Sequence, residues 1–235
     1  MKGINTMLLL VMMFPGISFQ EFQKDVIPTS SGGLEITFIA HGTLMLKYND
    51  LVIHVDPVGM FGTDYSKLPE ADVILITHEH PDHLDKQVIE QIRKDNTTII
   101  LNAAGYKSLG YGEIMANGDH IMLSGIDIDA VPAYNITAAY HPKGNGNGYV
   151  LQFGDKKVYI AGDTENIPEM SDLKDIEVAF LPMNTPTMTP EMVAEAAKRF
   201  RPSILYPYHY DDSWLDELVK LLQDENDIDL RIRKM

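Results

Sequence analysis

From residue 34 onward the apolar positions fall into short runs separated by turn residues. Residues 34–39, 44–47 and 51–55 predict three strands, joined by tight turns at His41-Gly42 and Asn49-Asp50. Residues 72–77 are almost continuously apolar, which suits a buried strand that delivers the chain into His78. Asp85 sits where a cap belongs, ahead of a helix reaching about residue 94 with Val88, Ile89 and Ile92 on one face. A strand at 98–101 follows. Residues 121–123 and 126–131 predict a meander about Ser124-Gly125, and 143–148 read as a loop rich in glycine and asparagine. Residues 149–153 and 157–160 predict a hairpin about Gly154-Asp155. After a strand at 176–181, Thr189, Pro190 and Glu191 supply a cap, a first-turn proline and a first-turn acid for a helix that Pro202 ends. Residues 204–206 form a strand leading to His209, and Asp212 or Ser213 caps a final helix.

The order is strands then a helix, and again strands then helices. Two β-sheets packed face to face, with helices outside, would bury such strands, so the pattern predicts an α/β sandwich. Residues 21–235 read as one domain, without a repeat or a linker. Residues 1–20 differ. Lys2 precedes the apolar block 7–14, Pro15-Gly16 breaks it, and Gly16-Ile17-Ser18 offers small residues for cleavage. That outline is a signal peptide; a buried N-terminal strand or helix is the plainer alternative. A cleaved segment means an exported protein, periplasmic or secreted, and an uncleaved one a cytoplasmic protein.

Composition narrows the classes. The 235 residues are enough to bury a large core, and 45% hydrophobic with 23% charged residues is ordinary for a globular chain. A net charge of −15 repels phosphate backbones, which argues against a nucleic-acid partner. The absence of cysteine removes disulfides, thiolate ligands and cysteine nucleophiles together. No apolar run is long enough for stable membrane insertion. A small molecule remains as the expected partner.

The chemistry concentrates at 78–83. His78 and His80 are two apart, so their rings point the same way from an extended segment. Pro81 then turns the chain and brings Asp82 and His83 to the same region. Crowding three imidazoles and a carboxylate at the end of a buried strand gains little packing, but it makes sense around a cation. Nitrogen and oxygen donors without sulfur suit zinc, manganese or iron.

The string Thr77-His-Glu-His-Pro-Asp-His83 resembles the signature of the metallo-β-lactamase superfamily. Asp56-Pro57, Gly162-Asp163-Thr164 and His209, each after a predicted strand, extend the likeness over roughly residues 34–212. His41-Gly-Thr, Asn147-Gly-Tyr149 and Ala161-Gly-Asp-Thr164 look most like the ascorbate-phosphate-lactonase-like hydrolases. The resemblance implies a four-layer αββα sandwich and two divalent metal ions, zinc or manganese. One ion would sit on His78, His80 and a third histidine, another on Asp82, His83 and His209, with Asp163 between them. The sequence departs from the pattern at the third histidine, since Asn135 follows Ala133-Tyr134. His141 is expected in that role, with Asn135 or a water as the substitute. His41, Asp56, Thr164 and Asn135 are expected to hold ligands in place, whereas His54 is expected to pack at its strand and His120 to lie in a surface loop.

A hydroxide shared by the two ions would be the nucleophile, oriented by Asp82 as the catalytic residue. The substrate would be a small ester, lactone or phosphoester, with Lys143 meeting an anionic group and Asn184 donating a hydrogen bond. Two rival readings are a non-catalytic metal-binding module and a single-metal or redox enzyme. Turnover lost in Asp82→Ala discards the first; visible absorbance and iron content would point to the second.

Overall fold

The computed structural model describes residues 21–235; the expected signal segment lies outside them. The first half of the chain forms β1 (Lys24–Thr29), β2 (Gly32–Ala40), β3 (Thr43–Tyr48), β4 (Leu51–Val55), β5 (Ala71–Leu75), α1 (Lys86–Ile92), β6 (Arg93–Leu101), α2 (Ala103–Leu109) and β7 (Glu113–Ile114). The second half forms β8 (His120–Leu123), β9 (Ile126–Ala133), β10 (Gly146–Phe153), β11 (Lys156–Ile160), β12 (Ile176–Pro182), α3 (Pro190–Phe200), β13 (Ile204–Tyr208), α4 (Leu215–Leu222) and β14 (Asp229–Leu230).

Each half makes one seven-stranded sheet in chain order, β1 through β7 and β8 through β14. In each sheet the first four strands pair antiparallel and the later ones parallel. The sheets face each other across Leu34, Ile36, Phe38, Leu46, Ile53, Ile128, Leu151, Phe180 and Tyr206, all buried. Phe180 stacks on Tyr206 at 5.1 Å, and Phe38 meets Tyr206 at 4.9 Å. Each fully buried ring of this kind stabilises by about 1.5–3 kcal/mol. Outside the first sheet, Val88, Ile89 and Ile92 of α1 pack on Ile74, Ile76 and Ile99. Outside the second, Val193 and Ala197 of α3 and Leu218 and Leu222 of α4 pack near Tyr159, Ala179 and Leu205. These are the four layers of an αββα sandwich.

Several boundaries differ from the sequence pattern. α1 stops at Ile92, because Arg93 is already extended, and β6 runs through the polar stretch 93–98. Pattern reading misses β1, an edge strand in which Ile27 is the one buried position. It also misses α2, a short helix opened by Asn102 and closed by Gly110 in the left-handed region. The glycine and asparagine stretch is only partly a loop: β10 begins at Gly146. A Cβ on Gly146 would lie 2.8 Å from the Ala133 carbonyl oxygen, so glycine lets β9 and β10 close there. Asp211, rather than Asp212 or Ser213, caps the last helical segment, through a 3-10 turn that precedes α4. His120 opens β8, exposed, 2.8 Å from Asp129, and His54 is fully buried in β4 against the Pro69 carbonyl at 3.0 Å.

Candidate metal centre

The strand ends at one edge of the sandwich supply the cluster. His41 lies in the turn after β2, Asp56 directly after β4, and His78 to His83 after β5. His141 comes from the segment between β9 and β10, Asp163 follows β11, Asn184 follows β12, and His209 follows β13. Two backbone features close the site. Gly42 approaches so near that a Cβ would lie 3.0 Å from the His83 ring. Gly162, at a φ of 66°, would place a Cβ 2.8 Å from the Asn147 carbonyl oxygen, so only glycine aims Asp163 inward there.

Three sets of possible ligand atoms each lie within 4.8 Å of one another: His78, His80 and His141; His78, His83 and Asp163; and His41, Asp82, His83 and His209. Asp163 stands between the first and last sets, 3.4 Å from His141 Nε2, 3.4 Å from His83 Nε2 and 3.5 Å from His209 Nε2. Asp82 Oδ2 lies 3.4 Å from His41 Nε2, 3.7 Å from His83 Nε2 and 3.5 Å from His209 Nε2. These spacings match the ligand-to-ligand edges around a small cation with bonds of about 2.0–2.2 Å.

The outer ring nitrogens are tied down, which leaves the inner ones facing the centre. His83 Nδ1 donates to Asp56 at 2.8 Å. Asp56 also accepts the Thr77 amide and the Thr77 hydroxyl, each at 2.7 Å. With its proton given to Asp56, that hydroxyl accepts from His78 Nδ1 at 3.0 Å. His141 Nδ1 donates to the Asn135 side-chain oxygen. His209 Nδ1 sits 2.6 Å from the Asn184 amide. A ligand role for His209 Nε2 puts the proton on Nδ1, which turns the Asn184 oxygen toward the ring and its amine toward the Thr187 hydroxyl, 2.9 Å away. His80 alone presents Nδ1, 3.0 Å from His78 Nε2.

Among the described residues, four inner atoms are buried without a hydrogen-bond partner: His83 Nε2, His141 Nε2, His209 Nε2 and Asp163 Oδ1. Buried polar atoms left without a hydrogen bond cost about 1–3 kcal/mol each; these atoms face one another around the Asp163 carboxylate at 3.4–3.5 Å, and that convergence fits an ion. Burial pushes Asp163 up, yet the facing His83 and His209 rings outweigh it and hold the carboxyl far below its usual range. His209 and His41 do the same for Asp82. Burial pushes His83 down, but Asp163 and Asp56 outweigh it and raise it well above the usual imidazole value. His78 and His141 are lowered, chiefly by burial.

The structure gathers His78, His80, Asp82, His83, His141, Asp163 and His209 in one cluster, and places Asn135 behind His141 rather than in its stead. His41 comes closer than expected: its ring packs on His209 at a centroid distance of 3.6 Å, with Nε2 toward Asp82. Thr164 props the backbone, accepting the Tyr134 amide at 3.1 Å. Lys143, expected to meet a substrate anion, is paired with Glu169 at 2.7 Å and lies over the Tyr134 ring. Asn184, expected to donate to substrate, is engaged by His209. Sequence reasoning missed Glu165. Its buried carboxylate accepts the amides of Ile136, Thr137 and Ala138 at 3.0, 3.1 and 3.3 Å and the Thr137 hydroxyl at 2.6 Å. It also takes the Asn135 amine at 3.2 Å, and so pins the segment that carries His141. An acid beside a turn gives no sequence signal for such a task.

A family model described as the β-lactamase superfamily domain matches residues 35–209. A UPF0173 metal-dependent hydrolase of Natranaerobius thermophilus is 31% identical over 191 residues, 76% of this chain and 84% of that protein. A crystal structure named for a metal-dependent hydrolase of Parabacteroides distasonis superposes with a TM-score of 0.88 at 52% identity, over 92% of this chain and 100% of that one. CmlA, a diiron β-hydroxylase from Streptomyces venezuelae, shares the fold alone, with a TM-score of 0.69 at 17% identity over 87% of this chain and 53% of that one. A fold held in common across such chemistries leaves the site to carry function. By the matched domain, the relative and the fold together, the chain belongs to the β-lactamase superfamily and, within it, to the UPF0173 family of metal-dependent hydrolases.

Proposed function

We infer that the chain hydrolyses a small ester, lactone or phosphoester with two divalent ions, zinc or manganese, held at this cluster. His78, His80 and His141 would hold one ion, Asp82, His83 and His209 the other, and Asp163 would reach both. The observation that carries the reading is the convergence of four buried, partnerless donor atoms on one centre. Bound there, such ions supply Lewis acidity toward a carbonyl or phosphoryl oxygen and make water a stronger acid.

The protein's own groups do the rest. Asp82 is the partly exposed carboxylate of the cluster, kept ionised by His209 and His41. On this reading it orients the attacking water by accepting a hydrogen bond from it. Asp56, Asn135 and Asn184 keep His83, His141 and His209 in the tautomer that frees Nε2. In the reaction, water's oxygen joins the carbonyl carbon or the phosphorus, the bond to the leaving oxygen breaks, and that oxygen departs with a proton.

The test is metal content by plasma mass spectrometry, with a screen of lactones, esters and phosphoesters, on wild type, Asp163→Ala and His141→Ala. About two ions per chain, fewer in both variants, with turnover lost in Asp82→Ala, is the expected result. One ion or none, unchanged by Asp163→Ala, would overturn the two-ion reading. Iron with visible absorbance would replace it with a redox enzyme on the same fold.

A further inference from the structure

Among the described residues, a narrow gap and a wide pocket reach the cluster, and they differ greatly. The gap lined by Thr77, His78, His80, Tyr140 and His141 encloses about 10 Å³. That is no more than a single water needs. On the other side, a pocket of about 570 Å³ is lined by Phe22, Ala40, His41, Phe61, His209 and Met235, among others. That volume is the size of an ordinary small-ligand site. Its inner wall is the His41 ring, which is sandwiched between His209 at 3.6 Å and Phe61 at 4.6 Å.

The walls state a preference. Phe61, in the loop that follows β4, is 41% exposed and lines the pocket together with Phe22, Ile39, Ala40 and Met235. Apolar side chains gathered around one open cavity suit a ligand surface better than plain solvation. Phe22 adds a half-buried ring, packed against Ile39, Ala40, Met45 and Val52. The acidic and basic side chains in the lining, Glu21 and Lys234, have opposite signs and largely offset each other.

Taking the hydrolase reading above as its basis, we propose that the substrate enters past His41 and carries an uncharged apolar body, aromatic or aliphatic. That body lies in the pocket against Phe61 and Phe22, and its reacting carbonyl or phosphoryl group points to the Asp82 and His209 side of the cluster. The His78, His80 and His141 side stays closed to substrate. Phe61 is then a specificity-determining residue, since its ring both walls the pocket and backs His41.

The probes are hydroxamates, which anchor on protein-held divalent ions and carry a variable tail. Acetohydroxamate and its phenylacetyl, 3-phenylpropanoyl and 4-phenylbutanoyl homologues are titrated calorimetrically into the full chain loaded with zinc. Metal content is measured on the same samples. Affinity rises about threefold to fourfold per buried methylene, so the longest homologue binds at least tenfold tighter than acetohydroxamate. In Phe61→Ala most of that gain disappears, and in Phe61→Leu part of it returns. Equal affinities along the series at full metal occupancy overturn the pocket and leave the metal reading standing. A gain that Phe61→Ala does not diminish overturns the pocket equally. Tail-dependent binding by a protein that holds no zinc keeps the pocket and overturns the hydrolase reading; no gain and no zinc overturns both.

Discussion

Asn135 and His141 hold each other from both ends. The Asn135 amide donates to the His141 carbonyl oxygen at 2.8 Å, and the Asn135 side-chain oxygen accepts both the His141 amide, at 3.1 Å, and the ring Nδ1. The residue at the position where the family resemblance leads one to expect a histidine therefore positions His141, the proposed ligand. Asn135→Ala is expected to lower affinity at the His78, His80 and His141 set by about 10–100-fold. Chelator competition measures it, and an affinity equal to wild type would show that Asn135 does not position the ligand.

Glu165 lies one step further back. Glu165→Gln keeps the shape but removes the charge that gathers three amides and a hydroxyl, each such bond contributing about 1.5–3 kcal/mol when the acceptor is charged. The 136–141 segment should exchange its amide hydrogens much faster in this variant, while β5 and β12 stay protected. Uniform protection across both segments would count against the clamp.

On the two-ion reading, removing the ions should destabilise the whole domain, because the buried ring nitrogens around Asp163 then lose the cation they face. A ligand present at a hundred times its dissociation constant adds about 2.7 kcal/mol, so a chelator should lower the melting temperature by several degrees. Restoring zinc or manganese should return it. In Asp163→Ala the chelator-induced shift should shrink, and a full-sized shift there would separate stabilisation from the Asp163 carboxylate.

Asp25 ties β1 to the C-terminal tail. Its carboxylate takes Arg233 Nη2 at 2.7 Å and the Tyr206 hydroxyl. Burial pushes Asp25 up, but Tyr206 and Arg233 outweigh it and lower the carboxyl below its usual value. A lowered folded value means the contribution is complete above the unfolded value near pH 4 and is lost as pH falls through the folded one. Asp25→Asn should therefore cost about 1–3 kcal/mol at neutral pH, and the gap from wild type should narrow below about pH 4. Denaturant unfolding at pH 7 and pH 3 reads both numbers, and a gap that persists unchanged at pH 3 would assign the effect to packing.

The strands and helices of the core were legible because burial on one or both faces leaves a period in the sequence. That is why 72–77, 149–153 and 176–181 stood out, while β1, with one buried side chain, did not. The His78 to His83 string announced itself because four donors in six residues have few other uses. Asp56 and Asn135 were legible as supports of ligands, but others were not, for the opposite reason. Glu165, Thr77 and Asn184 are common polar residues at turns, and only the folded backbone brings them against an amide or a ring. His41 was placed near the site by its turn, but its stacking on His209 depends on β2 and β13 ending side by side, which no local pattern encodes.

The two sheets are each built from one continuous half of the chain, and the seam between them runs through the donors. His78, His80, Asp82 and His83 emerge early in synthesis; His141, Asp163 and His209 belong to the later half. Each possible ligand set draws on both halves, so the complete donor constellation exists only once the two sheets have met. A chain halted midway carries His41, His78, His80, Asp82 and His83 without the His141, Asp163 and His209 side chains that complete those sets.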